Sequence, residues 1–338
     1  MNKWYEKSGN RCEDIISTRV RFARNLREYP FPCRLSLTMK EEIIKKVSDA
    51  LSMSPISSGF ECKHLSDISE VERVSLVERH LVSPEFISEP EGRAVFIYED
   101  ESISIMVNEE DHLRIQVMSE GYSFEKALET ADQIDSLLNE QLNFAFDTQL
   151  GYLTQCPTNL GSGMRASLML HLPALLESGI ISRISNSLSK LGITIRGTYG
   201  EASKPTGAIY QVSNQISLGL SEQEAINNLK DITEALLSKE KVAREALVSH
   251  IEIQDKICRS VGILKSAKLI SKDEFMLLAS NIRLGISSGL ITNISIDTVN
   301  ALTVHIQPAT IQLLAGKALS SKERDALRAK MCEEILPD

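Results

Sequence analysis

The sequence lacks the features that would indicate a membrane, secreted or zinc-binding protein. It contains no run of 18 apolar residues, the length a membrane-spanning helix needs, and residues 1–10 hold no apolar segment of the kind found in secretory signals. Its six cysteines follow neither a Cys-x-x-Cys nor a Cys/His metal-binding spacing, which is typical of reduced thiols. These absences predict a cytoplasmic protein with no membrane partner and no dedicated metal site.

An excess of positive charge is absent as well. Asp and Glu number 46 against 37 Lys and Arg, so the formal net charge is −9. This balance argues against nucleic acid or an anionic membrane as a direct partner, although it allows a local basic pocket. No internal repeat or low-complexity segment is visible. The length of 338 residues and the hydrophobic content of 42% suit a chain of about two domains.

Predicted strands and amphipathic helices are interleaved along the first 250 residues. Period-two patterns predict strands at 15–25, 93–98, 102–107, 113–118, 151–155, 193–201 and 208–213. Helical periodicity predicts helices at 38–53, 68–79, 123–146, 180–191 and 221–250, and a further helix beginning near Met164. Because hairpin-like turns join several strands, we predict an α+β fold with a mostly antiparallel sheet flanked by helices.

Capping-box patterns, in which a Ser or Thr is followed three residues later by Glu, indicate several helix starts. They are Thr38-x-x-Glu41, Ser221-x-x-Glu224, Ser271-x-x-Glu274 and Ser320-x-x-Glu323. The last two lie in a tail that is helical in character throughout. We therefore predict two domains, one at 1–250 and a helical C-terminal one at 251–338.

Three carboxylates and a histidine are concentrated where two predicted strands meet. The letters NEEDH occupy residues 108–112, between the strand at 102–107 and the strand at 113–118. A solvated, acidic hairpin turn would explain this pattern. A functional interpretation requires cations nearby, since grouped carboxylates are costly unless something positive neutralises them.

Arginines occur in contexts that could supply those cations. In an extended segment Arg19 and Arg21 point to one side of the strand, so two guanidinium groups share one face, although a solvated edge strand would look the same. A glycine-bearing turn at 156–163 could present free backbone N–H groups to an anion, but it lacks the Gly-Lys-Ser/Thr ending of a P-loop. Near the C-terminus, Arg324 and Arg328 share a helix face, as they would on an ordinary solvated helix.

Four motifs, taken together and in this order, resemble the ATP:guanidino phosphotransferases, the family of creatine and arginine kinases. They are STRVR at 17–21, NEEDHLR at 108–114, CPTNLG at 156–161 with Arg165, and RGTYGE at 196–201. The Arg324-Asp325-x-x-Arg328-Ala329 element is similar to one found in the branch of bacterial protein-arginine kinases. The resemblance implies a guanidino kinase catalytic domain, related in fold to glutamine synthetase, followed by a helical C-terminal domain.

The resemblance implies a nucleotide site rich in arginine, with ATP and Mg²⁺ as cofactors. Arginine suits phosphate because its planar, permanently charged fork donates paired hydrogen bonds, and Mg²⁺ would be held mostly by phosphate oxygens and water. The implied nucleotide-binding residues are Ser17, Thr18, Arg19, Val20, Arg21, His80, Arg114, Arg165, Ala166, Ser167, Leu168, Met169, Arg196, Gly197, Thr198, Tyr199, Gly200 and Glu201. From the residues alone, His80 has the pattern of a structural histidine.

The catalytic residues implied by the resemblance are Glu110, Glu201, Cys156, Arg114, Arg165 and Arg196. A guanidinium is a poor nucleophile because it is cationic and hardly deprotonated in water. Carboxylates beside it can orient the attacking nitrogen and accept its proton, so Glu110 is expected to be the base and Glu201 the clamp. Cys156 would lie beside the guanidinium, where neighbouring arginines favour a thiolate.

The expected substrate is an arginine side chain within a protein. Kinases of free phosphagens in this family carry a helical N-terminal domain ahead of the first motif, whereas 16 residues precede Ser17 here. Two alternatives stay open: a kinase acting on a free guanidino compound, and a catalytically weak adaptor that binds phosphoarginine. The branch also implies an allosteric phosphoarginine site at Arg324, Asp325, Arg328 and Ala329.

The partners implied by the branch are a homodimer mate, an activating zinc-binding adaptor, a heat-shock repressor as substrate and a Clp-type protease. Phosphorylated arginines would then mark proteins for degradation in a stress response. These expectations rest on the resemblance and not on any pattern in the residues.

Overall fold

The computed structural model describes residues 2–53, 57–197 and 206–337. Within these ranges the strands are β1 (Ile15–Arg24), β2 (Phe60–His64), β3 (Ala94–Tyr98), β4 (Ile103–Val107), β5 (Leu113–Glu120), β6 (Phe146–Asp147), β7 (Gly151–Tyr152), β8 (Met164–His171), β9 (Ile193–Gly197) and β10 (Ile209–Asn214). The helices are α1 (Leu37–Ser52), α2 (Glu70–Glu78), α3 (Pro84–Ser88), α4 (Phe124–Leu142), α5 (Pro173–Glu177), α6 (Ile181–Ser189), α7 (Glu222–Val248), α8 (Ile251–Ser266), α9 (Lys272–Ser287), α10 (Ile296–His305), α11 (Thr310–Ala315) and α12 (Ser321–Ile335).

Eight of these strands form one sheet in the order β2-β3-β4-β5-β1-β8-β10-β9. Every neighbouring pair in it is antiparallel, which confirms the predicted α+β fold with a mostly antiparallel sheet. β1 lies in the middle, between β5 and β8, so its side chains have neighbours on both flanks.

One face of the sheet carries the larger hydrophobic core. Val20 and Phe22 of β1 are fully buried there against α4, whose apolar stripe includes Phe124 and Leu138. Burying a side chain of this size stabilises the fold by about 1.5–3 kcal/mol. Because side chains alternate along a strand, this burial places the intervening residues of β1 on the opposite face.

A second core lies on the opposite face and includes the C-terminal helices. Met169 of β8 and Ile209 of β10 pack there with residues of α8, α9, α10 and α12. A buried carboxylate adds to this contact: Glu78 of α2 accepts hydrogen bonds from the backbone N–H groups of Ala309 and Thr310, at 2.7–3.0 Å, where α11 begins. The C-terminal helices are therefore packed directly onto the sheet and onto α2.

Two local predictions were wrong. The segment that begins at Met164 is strand β8 and not a helix, since it is hydrogen-bonded between β1 and β10. Its polar residues Arg165 and Ser167 alternate with residues of the larger core, as in a strand. The N-cap of α1 is Ser36, whose hydroxyl accepts from the Met39 N–H at 3.2 Å, rather than Thr38. The capping boxes at Ser221 and Ser320 are confirmed.

Candidate active site

A cleft of about 960 Å³ opens on the face of the sheet opposite the larger core. Nine of the residues predicted for the site line it: Arg19, Arg21, His80, Glu110, Arg114, Cys156, Arg165, Arg196 and Gly197. They come from segments as far apart in sequence as β1 and β9. The fold therefore gathers in one place side chains from all four motifs.

The antiparallel register brings the arginines together. Arg21 of β1 lies opposite Arg165 of β8, and Arg114 of β5 lies opposite Ala23 of β1. Arg196 reaches the cleft from β9 at the edge of the sheet. Paired positions of neighbouring strands place their side chains on the same face, so the sheet itself aims these guanidinium groups into one volume.

The arginines of the cleft repel one another. Burial and the charges of Arg165 and Arg114 lower the pKa of Arg19 to about 10, and burial together with Arg19, Arg114 and Arg165 lowers the pKa of Arg21 well below its usual value. The Nε of Arg21 is buried without a hydrogen-bond partner. A polyanion placed in the cleft would relieve this repulsion and satisfy the free donor, so the charge of the cleft suits an anionic ligand.

Neutral groups orient Arg19. Its Nε donates to Ser167 Oγ at 3.3 Å and its Nη2 to Gln211 Oε1 at 2.7 Å. Arg165 is held in a similar way, by its Nε donating to the Asn214 carbonyl at 3.3 Å. These partners fix the direction of the guanidinium groups without cancelling their charge, so the charge stays available to a ligand.

Arg114 is held by two carboxylates of the acidic motif. Its guanidinium lies 2.6 Å from Glu109 Oε2 and 3.2 Å from Glu110 Oε2, and Ser83 Oγ donates to Glu109 on the other side. Glu109 is buried whereas Glu110 is only half-buried. Glu109 therefore acts as a fixed support for Arg114, and Glu110 remains accessible from the cleft.

Glu110 lies close to the turn that carries Cys156. Asn159 Nδ2 approaches Glu110 Oε2 to 3.5 Å, and Cys156 Sγ lies 3.1 Å from Thr158 Oγ1. The charges of both Glu110 and Cys156 act on Arg165, where they oppose the fall in its pKa caused by burial and by Arg196 and Arg114. A carboxylate, a thiol and the clustered arginines are thus neighbours in one cleft.

The other two charged residues of the NEEDH motif are structural. Asp111 Oδ1 accepts from Asn25 Nδ2 at 2.6 Å and from the Gln155 N–H at 2.8 Å. His112 Nδ1 accepts from the Leu26 N–H at 2.9 Å, so its Nε2 carries the proton, and burial lowers its pKa. This buried network joins the motif to β1 and to the residue before Cys156, which sets the distance between Glu110 and the thiol.

His80 lies at the rim of the cleft in a left-handed backbone conformation, with φ at +62°. Its carbonyl accepts from Gln116 Nε2 at 2.7 Å, which fixes the turn after α2. Burial and the charge of Arg19 lower its pKa to about 4, so the ring is neutral at pH 7. A neutral ring can pack or hydrogen-bond without adding to the positive charge of the cleft.

Several residues implied as nucleotide-binding lie beneath the cleft floor. The side chains of Val20, Ala166 and Leu168 belong to the larger core. Ser17 is buried, and Thr18 Oγ1 donates to the Gly121 carbonyl and accepts from the Ser123 N–H ahead of α4. Since these side chains do not line the cleft, any contribution from their positions would come through the backbone.

The other described members of that set lie on the cleft side of the sheet. Ser167 holds Arg19, and Met169 packs in the second core. Gly197 lines the cleft at the end of β9. Thr198, Tyr199, Gly200 and Glu201 lie outside the described residues, so the predicted clamp has no structural account.

Sequence reasoning did not identify three residues of the cleft. Glu109 stood inside the acidic motif, but its separate role as the support of Arg114 depends on Ser83, which is remote in sequence. Gln211, which holds Arg19, gave no signal beyond its place in a predicted strand.

The predicted C-terminal anion site is only partly accessible. Arg328 and Ala329 are buried, and the Arg328 guanidinium donates to the carbonyls of Ile306 and Ile270 and to Asp325 Oδ1 at 2.6–3.1 Å. Arg324 is half-buried, and its Nη1 donates to the Leu319 carbonyl at 2.8 Å. Of the two arginines, Arg324 is the one that solvent and a ligand can reach.

In the described ranges no helix is both long and apolar enough to span a membrane, and no group of three or more His, Cys, Asp or Glu side chains is arranged to hold a metal ion.

Protein family models match most of the chain. Residues 42–243 match ATP:guanido phosphotransferase, C-terminal catalytic domain, and residues 250–338 match Protein-arginine kinase McsB C-terminal domain. The chain is 44% identical to the protein-arginine kinase of Halothermothrix orenii over 99% of this chain and 97% of that protein. It is 43% identical to the protein-arginine kinase of Clostridium acetobutylicum over 99% of this chain and 100% of that one.

Solved structures agree with this placement. Lombricine kinase superposes with a TM-score of 0.63 at 23% identity, covering 72% of this chain and 71% of that one. The duplicated taurocyamine kinase of Schistosoma mansoni, bound to transition-state analogue components, superposes with a TM-score of 0.60 at 27% identity, covering 78% of this chain and 38% of that one. Together with the arginine-lined cleft, these matches establish that the chain belongs to the protein-arginine kinases, a branch of the ATP:guanido phosphotransferase family.

Proposed function

We propose that this chain transfers the γ-phosphoryl group of ATP to the guanidinium of arginine side chains in proteins. The observation that carries the proposal is the convergence of five arginines from four strands, beside Glu110 and Cys156, in one cleft. Phosphoryl transfer needs an aligned nucleophile and neutralised charge rather than covalent chemistry from the protein. Two relatives that are 43–44% identical over 99% of this chain carry the name protein-arginine kinase.

The arginines would hold the triphosphate. Arg19 and Arg21 form the floor of the cleft, and Arg114, Arg165 and Arg196 approach from the neighbouring strands. Paired hydrogen bonds from guanidinium to phosphate oxygens would stabilise the charge that builds up on the transferring group. Mg²⁺, when bound, would offset charge between the β- and γ-phosphates. The described residues offer no all-protein cage for it, so phosphate and water would be its main ligands.

Glu110 would activate the attacking nitrogen. In the transfer, a new N–P bond forms as the bond between the γ-phosphorus and the bridging oxygen breaks, ADP leaves, and the guanidinium proton passes to a carboxylate. Glu110 faces the cleft and lies near the Cys156 turn, which suits it to this role. Glu201 remains the proposed second carboxylate, on the strength of the motif alone.

The wider setting is also proposed. We propose a protein that acts on polypeptides with exposed arginines, in the cytoplasm, where its six cysteines, all unpaired in this structure, would stay reduced. A homodimer, an activating adaptor, a Clp-type protease and a role in the stress response follow from the branch. The division at residue 250 is supported by the boundary between the two family models.

A labelling experiment tests the proposal. The protein would be incubated with [γ-³²P]ATP, Mg²⁺ and unfolded β-casein, and acid-labile phosphate on arginine would be measured and located by mass spectrometry. We expect labelling in the wild type and a fall of about 10²–10⁴-fold in Glu110→Gln, the usual size of a general-base contribution. Glu129→Gln, an exposed residue of α4, is the matched control and should label normally.

The same assay separates the alternatives. Transfer to free arginine but not to β-casein would favour a kinase of a free guanidino compound. Absence of transfer to either, with phosphoarginine still bound, would favour the adaptor. Full activity in Glu110→Gln would contradict the role given to that carboxylate.

A further inference from the structure

A short apolar segment runs along one edge of the cleft. Gln215 lines the cleft itself, and Ile216 and Leu218 follow it with 51% and 46% of their surface exposed. Ser217, between them, is only 2% exposed. Two large apolar side chains are therefore held towards solvent on either side of a buried polar one.

Ser217 fixes this segment to the catalytic turn. Its Oγ lies 3.0 Å from both the Thr158 and the Leu160 carbonyl oxygens, and these residues directly follow Cys156. Gly161 packs so closely beneath the segment that a Cβ there would come within 2.6 Å of the Ser217 carbonyl oxygen. The exposed positions of Ile216 and Leu218 are thus set by a tight backbone fit and do not result from a loose loop.

Further exposed apolar side chains border the same edge. Leu191 is 69% exposed, and the neighbouring Gly192 accepts a hydrogen bond from the Gln215 N–H at 2.8 Å. Leu150 is also exposed, and the residue after it, Gly151, packs against the backbone of Gly161. Single exposed apolar residues are ordinary, but a group of them on a rigid rim that continues a binding cleft is typical of an interaction surface.

The location of these exposed apolar residues beside the cleft indicates which part of a substrate would contact them. The guanidinium of a target arginine must reach Glu110 and Cys156. The Pro157–Asn159 turn lies on this side of the cleft, and Ser217 is hydrogen-bonded to it. The polypeptide on either side of that arginine must then leave across a neighbouring edge. A free guanidino compound has no such flanking chain and would not touch the rim.

We propose that Ile216 and Leu218, with Leu191 and Leu150 beside them, form a docking surface for apolar side chains that flank the target arginine in a protein substrate. The proposal rests on the proposed function and deepens it, because it names the surface that distinguishes a protein from a small guanidine. The surface raises the affinity for the polypeptide substrate, and the residues of the cleft carry out the phosphoryl transfer.

The test compares two substrates in one double variant, Ile216→Ser with Leu218→Ser. Unfolded β-casein presents arginines with flanking chain, and Nα-acetylarginine amide presents the same side chain alone. We expect kcat/KM for casein to fall about tenfold or more, mainly through KM, which corresponds to about 1.4 kcal/mol. The value for the small substrate should stay within twofold. Val242→Ser, 69% exposed on α7, is the matched control and should change neither.

The outcomes separate the two proposals. If the wild type labels neither substrate, the proposed function fails. If the wild type labels casein and the double variant labels it equally well, only the docking surface fails. An equal loss on both substrates would show that the segment shapes the catalytic turn. A change in oligomeric state, measured by size exclusion with light scattering, would assign the rim to a second copy of the chain. Either result would overturn the docking surface.

Discussion

Arg19 is a residue at which fold stability and ligand binding should oppose each other. Its pKa falls from 12.5 to about 10 because of burial and the nearby charges of Arg165 and Arg114. Each tenfold change in proton affinity corresponds to about 1.4 kcal/mol, so keeping this charge costs about 3 kcal/mol. Arg19→Met would remove that cost and lose the hydrogen bonds to Ser167 and Gln211, each worth about 1 kcal/mol. We expect the variant to be more stable by about 1–2 kcal/mol.

The opposite effect is expected when ATP is present. A charged hydrogen bond from Arg19 to phosphate should contribute about 1.5–3 kcal/mol, so ATP should bind the variant about 10–150-fold more weakly. At an ATP concentration 100 times the wild-type Kd, the ligand stabilises the wild type by about 2.7 kcal/mol. A variant with 100-fold weaker binding would gain only about 0.4 kcal/mol. The order of stability of the two proteins should therefore reverse on adding ATP.

Urea unfolding with and without Mg²⁺ and ATP measures both effects in one experiment. Arg259→Met is the matched control, because Arg259 has a 72% exposed side chain and a long 3.9 Å ion pair, and it should change stability by less than about 0.5 kcal/mol. If Arg19→Met unfolds at lower urea than the wild type without ATP, repulsion between the arginines is not the dominant effect at this site. Equal stabilisation of both proteins by ATP would remove Arg19 from the nucleotide site.

Three further outcomes follow from buried or partly buried charges. Asp135→Ala should cost about 3–5 kcal/mol in urea unfolding, because it leaves the buried Arg24 guanidinium, now paired at 2.9 Å, without its carboxylate; a loss under 1 kcal/mol would contradict this. Burial keeps the pKa of His171 well below 6.5, so only the unfolded chain gains a proton as the pH falls below 6.5, and stability drops. His171→Asn should flatten this slope by up to about 1.4 kcal/mol per pH unit, and parallel slopes would refute it. Arg324→Ala with Asp325→Ala should abolish phosphoarginine binding in calorimetry if the C-terminal site exists; unchanged binding and kinase activity would exclude it.

The strand patterns predicted the positions of the cleft arginines well because burial on a sheet face follows period two. Val20 and Phe22 fill the core, which forces Arg19 and Arg21 to the other side whatever their partners are. The same pattern was present at Met164, where Arg165 and Ser167 alternate with core residues. The prediction failed there because the glycine-bearing turn ahead of Met164 was interpreted as the start of a helix.

The sequence of the acidic motif does not show which of its charged residues line the cleft and which are structural. Its charged residues look equivalent in the chain, yet Glu109 and Glu110 line the cleft while Asp111 and His112 are buried away from it. The difference depends on Asn25, which lies far away in sequence and bonds to both of the buried residues. Pairings over such separations have no local signal, so the division of roles required the fold.

The packing of Met169 and Ile209 has a consequence for any shortened form of the protein. Both residues stand on the same sheet face as the cleft, two positions along their strands from Ser167 and Gln211, which hold Arg19. A protein truncated near residue 250 would lack the C-terminal helices. The apolar residues that these helices cover, next to the arginines, would then be exposed to water. The isolated front portion would then tend to aggregate, and a purified fragment ending there would be a poor reagent for nucleotide titrations.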